Sequence, residues 1–341
     1  MIIQRMSAST PSRPSSAPAA NPSAAIPASP APEWAARFAA PAGGACRLPM
    51  LGVLRASGAD AAQFLQSQLT QDVLHMPPGP GARLAAFCTP KGRMLASFHV
   101  FRPLADQVLL VCERALLPGL LKRLSRFVMR AKVKLDDASA ELACWGLLGE
   151  AAVQVAQAVQ ADAGGLPLLA DLPPAGGLPC ALWLAAADAP APAGAADLPV
   201  AHWLAAEALA GVARVGEATA EAFVPQMLNY ESMGGVHFKK GCYPGQEVVA
   251  RSQFRGVIKR RAFVGWADGV VQAGQEVFAE GQEQPVGLIA QAAAAPEGGG
   301  CLVIAGLQIA AALGQPPLHV GAADGPTLHG LHIPYPLADD I

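Results

Sequence analysis

Apolar and polar positions recur with two different periods along this chain, and the changes of period mark its parts. Leu48, Met50, Leu51, Val53 and Leu54 form a dense apolar run that predicts a strand ending before Ser57. Ser57 reads as a helix N-cap: Asp60 lies three positions on, and Ala61, Phe64, Leu65, Gln68 and Leu69 follow with helical spacing, which predicts a helix over 58–71. Two strand-like runs over 83–101 flank Thr89-Pro90-Lys91-Gly92, whose Pro and Gly suit a tight turn, so a hairpin is expected. A strand at 107–112, an amphipathic helix over 115–129 and short strands at 131–136 and 141–148 come next. Residues 160–200, rich in Ala, Pro and Gly, read as loops and weak edge strands before a helix at 202–210. Short β runs at 257–267, 275–279, 285–292, 301–305 and 317–320 then predict a small antiparallel barrel.

Strands, helices and strands in this non-repeating order predict an α+β fold with mixed or antiparallel sheets, followed by the barrel. The opening residues are mostly Ser, Pro and Ala and cannot bury enough apolar surface to order themselves. The expected divisions are a disordered tail over 1–44, a first α+β subdomain over 45–160, a second over 161–256 and the barrel over 257–341.

With 52% hydrophobic residues there is material for a substantial core, yet no apolar run reaches the eighteen or so residues of a membrane helix. A membrane partner is therefore not expected. The seven cysteines stand singly with no C-x-x-C pair, which argues against a disulfide framework and a cysteine metal site and for a reducing, cytoplasmic setting.

Chemistry concentrates in residues 223–251, FVPQMLNYESMGGVHFKKGCYPGQEVVAR. Two glycines and a proline precede a predicted helix opening at Gln246, a loop whose N–H groups can converge on an anion. Residues 239–261 hold seven basic residues against Glu247, an excess of +6 in a chain whose total is −2. Such a stretch is either a solvated basic face or a holder of a polyanion. Cys242 differs from the other cysteines in its neighbours Lys239 and Lys240 and its place just before a helix, which favour a thiolate with a redox or ligand role. Trp203 and Glu207, one helical turn apart, present a flat apolar wall and a carboxylate from one face.

Lys240-Gly241-Cys242-Tyr243-Pro244-Gly245-Gln246-Glu247 resembles the K-G-C-Y-x-G-Q-E signature of the YgfZ family. Residues 225–229, 234–239, 64–73 and 89–93 resemble further blocks of that family in the same order. The resemblance implies the fold of the glycine cleavage T-protein and a tetrahydrofolate held in a central channel. It also implies iron-sulfur enzymes or their assembly proteins as partners, including radical enzymes that thiomethylate tRNA. Folate contacts are then expected from Trp203, Glu207, Asn229, Lys240, Gly241, Tyr243, Gly245, Gln246, Glu247 and Arg251, and a redox or ligand role from Cys242. Where relatives present an aromatic residue before the first helix this chain has Leu51, which weakens the stacking platform. Three other readings stay open. A folate-dependent aminomethyltransferase would use a carboxylate such as Asp72, and the bland reading is a scaffold that binds neither folate nor metal. An RNA-binding module is disfavoured because only Tyr243 and Phe254 interleave the charges.

Overall fold

The computed structural model describes residues 43–161, 168–254, 257–296, 298–314 and 316–338. The expected tail lies outside them apart from Gly43 and Gly44, which open the first strand. The chain runs β1 (Gly43–Arg47), β2 (Leu51–Ser57), α1 (Ala61–Gln66), β3 (Gly79–Cys88), β4 (Met94–Leu104), β5 (Gln107–Glu113), α2 (Leu117–Ser125), β6 (Lys134–Asp137) and β7 (Leu142–Gly149). It continues through α3 (Glu150–Ala161), β8 (Leu168–Ala175), β9 (Leu178–Ala186), α4 (Val200–Ala210) and α5 (Gln246–Phe254). The last part is β10 (Arg260–Ala267), β11 (Glu276–Ala279), β12 (Gly287–Ala294), β13 (Cys301–Gln308), α6 (Ile309–Ala312), β14 (Leu318–Val320) and β15 (Thr327–His332).

The first nine strands form one mixed sheet in the order β1-β7-β9-β8-β3-β4-β5-β2-β6. Its pairings are antiparallel except where β3 meets β8, in parallel at Gly81 and Leu169. That short joint divides the sheet into halves, and because β2 also approaches β7 the sheet curls until the halves face each other across a second seam. Helix α3 covers one half through Val155 and Val159 on Trp145 and Trp183. Helices α1 and α2 cover the other with Phe64, Leu65, Leu117, Leu120 and Leu124. Strands β10 to β15 close into the expected barrel, in the order β10-β13-β12-β11-β14-β15.

Helix α4 packs on β7, β8, β12 and β13, so it is surrounded by sheet and barrel and is apolar on nearly every face. Gly146 has no side chain because the Trp203 ring lies where its Cβ would stand. Among the described residues no helix is long and apolar enough to cross a membrane.

Five elements, α1, β8, β9, α3 and β15, differ from the sequence reading. Ser57 ends β2 and the N-cap of α1 is Asp60, whose carboxylate accepts the distant Lys132 N–H at 2.7 Å instead of capping. Helix α1 stops at Gln66, because Thr70 is drawn to β3 through the Ala86 N–H at 2.8 Å. Strands β8 and β9 are interior, paired on both sides, where edge strands were expected: the Ala and Leu positions of β9 pack against β7 and the Pro residues sit at the end of β8. Helix α3 and strand β15 were not anticipated; in α3 the small alanines interleaved with Val and Gln leave little periodic contrast to read.

Candidate functional site

The sequence blocks that carry the family resemblance meet along one seam. Residues Pro225–Leu228 form a 3-10 turn that ends on Asn229 at φ 58°, a left-handed conformation that asparagine tolerates. From there Asn229 Nδ2 donates to the Ala262 carbonyl at 2.9 Å and Oδ1 accepts the Ala262 N–H at 3.3 Å, while Gln226 Nε2 donates to Val249 O at 2.7 Å. Asn229 thus ties the turn to β10 and Gln226 ties it to α5. A fully buried Arg261–Glu231 pair reinforces the joint.

The next block is stitched to the 64–73 block. Thr70 Oγ1 donates to Gly235 O at 2.6 Å, His237 N–H donates to Thr70 O at 2.9 Å, and Gln71 Nε2 donates to Gly234 O. The Lys240 ammonium is buried and donates to the carbonyls of Gln66 and Leu69, with its charge 5.0 Å from the centre of the buried Tyr243 ring. Burial pulls its pKa down to about 8, with Asp72 opposing, so it stays charged at neutral pH. Lys240 therefore caps the last carbonyl of α1, that of Gln66, and the Leu69 carbonyl just beyond it.

Gly245, at φ 83°, lies against the Thr89–Gly92 turn of the hairpin. Between these two anchors Cys242 is exposed, whereas the other six cysteines are buried. Burial pushes the thiols of Cys46, Cys88, Cys112 and Cys144 up to about 12.

A cavity of about 620 Å³ opens where β3 meets β8, lined among others by Gln71, Arg83, Leu84, His99, Asp171, Val212, His237 and Tyr335. Leu84, His99 and Val212 also line a narrow inner recess, which Leu51, Ser97, Phe98, Val111, Cys112, Arg214 and Tyr230 complete. Beside the recess Arg214 donates from Nε to Glu207 Oε2 at 3.0 Å and from Nη1 to Glu113 Oε1. Gln291 of β12 donates to the same Glu207 oxygen at 2.9 Å and accepts the Arg214 N–H at 2.9 Å, which joins the barrel to the network. Burial works against the Arg214 charge, but Glu207 and Glu113 hold it above its ordinary value, and burial raises Glu113. One guanidinium is thus shared by two carboxylates, leaving the cluster formally negative. Burial, with Arg214 adding to it, lowers His99 to about 4, so His99 faces the cavity as a neutral imidazole. His237 Nδ1 is buried and has no partner, a vacancy for a ligand's hydrogen bond.

The residues expected to touch a folate separate into two groups. Glu207 reaches the recess through Arg214. Trp203 is a fully buried core side chain packed on Gly146 and lines neither cavity nor recess, because α4 is crowded on every side. Asn229, Lys240, Tyr243 and Gly245 are likewise absent from the lining, because each is engaged by backbone or neighbouring rings at the seam. Gly241, Gln246, Glu247 and Arg251 lie outside the lining too, with Glu247 and Arg251 paired to each other at 2.6 Å on the surface of α5. Asp72 is held by His75 Nδ1 at 3.0 Å; burial opposes its charge, but the His75 bonds keep its carboxyl below the ordinary range. The basic stretch is no single surface either, since Lys240 and Arg261 point inward.

Sequence reasoning missed Arg214, Glu113, Arg83 and His99. Arg214 had a signal, being the one charge in the apolar run Val212-Ala213-Arg214-Val215, and so did Glu207 in the otherwise apolar α4. A lone charge in such a run has to find a buried partner.

No family model matches the chain. It is 33% identical over 241 residues to tRNA-modifying protein YgfZ of Enterobacter sp. (strain 638), covering 65% of this chain and 72% of that one. It is 29% identical over 221 residues to an uncharacterized protein of Haemophilus influenzae, covering 62% of this chain and 69% of the relative. Among solved structures, the glycine cleavage system aminomethyltransferase T of Bartonella henselae matches 88% of this chain and 87% of its own with a TM-score of 0.58 at 12% identity. At that identity the likeness concerns the fold, a mixed sheet with helices followed by a closed barrel, and this is the T-protein fold expected from the sequence. Identity of 33% across nearly three quarters of a curated relative settles the kinship: the chain belongs to the YgfZ family.

Proposed function

We propose that this protein binds a reduced folate, tetrahydrofolate or a derivative, in the cavity at the β3–β8 joint, and that it uses the bound state to support iron-sulfur enzymes in the cytoplasm, among them enzymes that modify tRNA. The observation that carries the reading is the cavity's ending on a buried network in which Glu207 and Glu113 outnumber Arg214. A pterin offers several N–H donors on a flat apolar ring, and a carboxylate-rich end with walls of Leu51, Leu84 and Val212 suits both properties. Arg83 spends one donor on the Asp72 carbonyl at 3.1 Å, and the rest of its fork suits the glutamyl carboxylates of a folate. The unpartnered His237 Nδ1 adds one further contact for such a ligand. A cavity of about 620 Å³ lies in the size range of small-molecule sites.

The motif loop takes a different part in this reading. Lys240 and Gly245 hold the loop, and exposed Cys242 is what a client enzyme or its assembly partner would meet. Kinship with the Enterobacter tRNA-modifying protein supports an indirect role in tRNA modification through such clients. An aminomethyltransferase would need a free acid or base beside the folate amines, and Asp72 is engaged by His75.

Calorimetric titration with tetrahydrofolate under reducing, oxygen-free conditions tests the proposal. Saturable binding that weakens at least tenfold in Glu207→Gln is the expected result. Absence of binding by the folded wild-type protein would overturn it. In cells, Cys242→Ala should leave the protein folded and folate binding intact yet impair cluster-dependent enzymes; full complementation by that variant would remove the thiol from the proposal.

A further inference from the structure

The curled sheet has a second seam, and it holds a second cavity. This space of about 350 Å³ lies where the start of β2 approaches β7, and Arg47, Leu48, Leu51, Arg114, Ser139 and Leu142 contribute to its lining. We infer that it is a binding site for a small oxyanion, a carboxylate or phosphate ester, carried on an apolar body.

The argument starts from charge. No Asp or Glu lines the cavity, although acidic residues outnumber basic ones in the chain, 26 to 24. Two arginines do line it, and neither takes a carboxylate partner among the described residues. Arg47 lies 5.5 Å from the centre of the Trp145 ring and spends one donor on the Ala187 carbonyl. Arg114 donates from Nε to Leu51 O at 3.2 Å, which fixes the plane of its guanidinium and leaves the outer nitrogens for a ligand.

Acids that flank the lining residues in the chain are turned to other partners: Glu113, beside Arg114, pairs with Arg214. Asp137 accepts the Ser139 N–H at 2.8 Å, and Glu141 is gripped by both outer nitrogens of Arg55, at 2.7 and 3.0 Å. Ser139 Oγ accepts the Val53 N–H at 2.9 Å, so its own proton is free to point at an anion. Two held guanidinium forks and a hydroxyl suit the planar and tetrahedral oxygens of carboxylate and phosphate. Leu48, Leu51 and Leu142 are buried and give an apolar floor that selects a ligand with more than a bare charge. Leu51 is shared between this cavity and the recess beside Arg214, so one side chain separates the two ligand spaces.

Both arginines are exposed, so binding of simple probes should be salt-dependent. The test is calorimetric titration with benzoate and with phenyl phosphate, beside benzyl alcohol as the uncharged ring. Both anions should bind saturably and at least tenfold better than benzyl alcohol, and raising salt should erode that margin. The double variant R47Q/R114Q should lose it, whereas R47K/R114K should retain part of it. Ala143→Glu, which places an acid in the cavity while leaving the arginines and their structural contacts in place, should abolish anion binding even if the double variant folds poorly. Repeating the titrations with tetrahydrofolate present, which fills the larger cavity in the folate reading, should leave this probe binding in place and so separates the two sites. Equal binding of charged and uncharged rings, indifference to Ala143→Glu, or loss of probe binding when tetrahydrofolate is present would overturn the assignment.

Discussion

A Cβ added to Gly245 would stand 2.7 Å from the Cα of Gly92, so the motif loop and the hairpin turn touch backbone to backbone although more than a hundred residues separate them in the chain. Gly245 also adopts φ 83°, where a side chain is strained regardless of space. Gly245→Ala should therefore destabilise the protein by roughly 2–4 kcal/mol, combining a left-handed backbone with a clash that neither turn can relieve alone. Urea denaturation with an unchanged slope and a lowered midpoint would establish it; an unchanged midpoint would mean that the two turns move apart freely.

The exposure of Cys242 gives a second prediction. Under native conditions one thiol per chain should react rapidly with a thiol-specific reagent, and Cys242→Ala should abolish that fast phase with little change in stability, because the other six cysteines are buried. Two or more fast thiols in the folded protein would show that one of the buried cysteines opens to solvent on the time scale of labelling.

Much of the fold was legible because its strands and helices are bounded by strong signals. The Thr89-Pro90-Lys91-Gly92 turn, the short strands of the barrel and the opening of α5 at Gln246 all appear where turn chemistry and periodicity place them. What failed was reading Ala-rich sequence: α3 and β9 carry alanines that fit either period, and only pairing with β7 fixes β9 as interior. For the site, the motif was easy to find and hard to interpret. Lys240 and Asn229 look like ligand contacts in sequence, yet they bond to the carbonyls of Gln66, Leu69 and Ala262, partners that no local pattern reveals. Conversely, Arg83 and His99 lie in ordinary-looking strands and become cavity residues only because β3 meets β8.

The network around Arg214 should respond differently to two substitutions of Glu207. Glu207→Ala removes one of the two carboxylates on a buried guanidinium and frees Gln291, which fastens β12 to α4. Breaking a buried pair from one side typically costs about 3–5 kcal/mol, and the surviving Glu113 contact should place this variant near the lower end. Glu207→Gln keeps an acceptor for Arg214 and should lose less than half as much. Thermal unfolding of the two variants side by side checks the ranking; equal losses would show that packing rather than charge fixes Glu207.

His99 makes the stability of the fold depend on pH with a defined sign. Burial, with the Arg214 charge adding to it, lowers the His99 pKa to about 4 in the folded protein, while in the unfolded chain it returns to its ordinary 6.5. Between those values the unfolded state binds more protons than the folded one, so stability falls as pH drops from 6.5 towards 4, by an amount of order 3 kcal/mol. His332, also lowered by burial, acts in the same direction, whereas Glu113, raised by burial, binds its proton more readily when folded and offsets part of the loss above pH 4.5. The contribution of His99 is isolated by comparing the wild-type protein with His99→Gln, which keeps a polar group in the cavity but cannot take up a proton. Chemical denaturation at half-unit steps from pH 7.5 to 4 should show the two stability curves converging or crossing as pH falls, with the wild type losing more. Curves that stay parallel would mean that His99 accepts its proton in the folded state, and the cavity would then have to admit a charge beside Arg214.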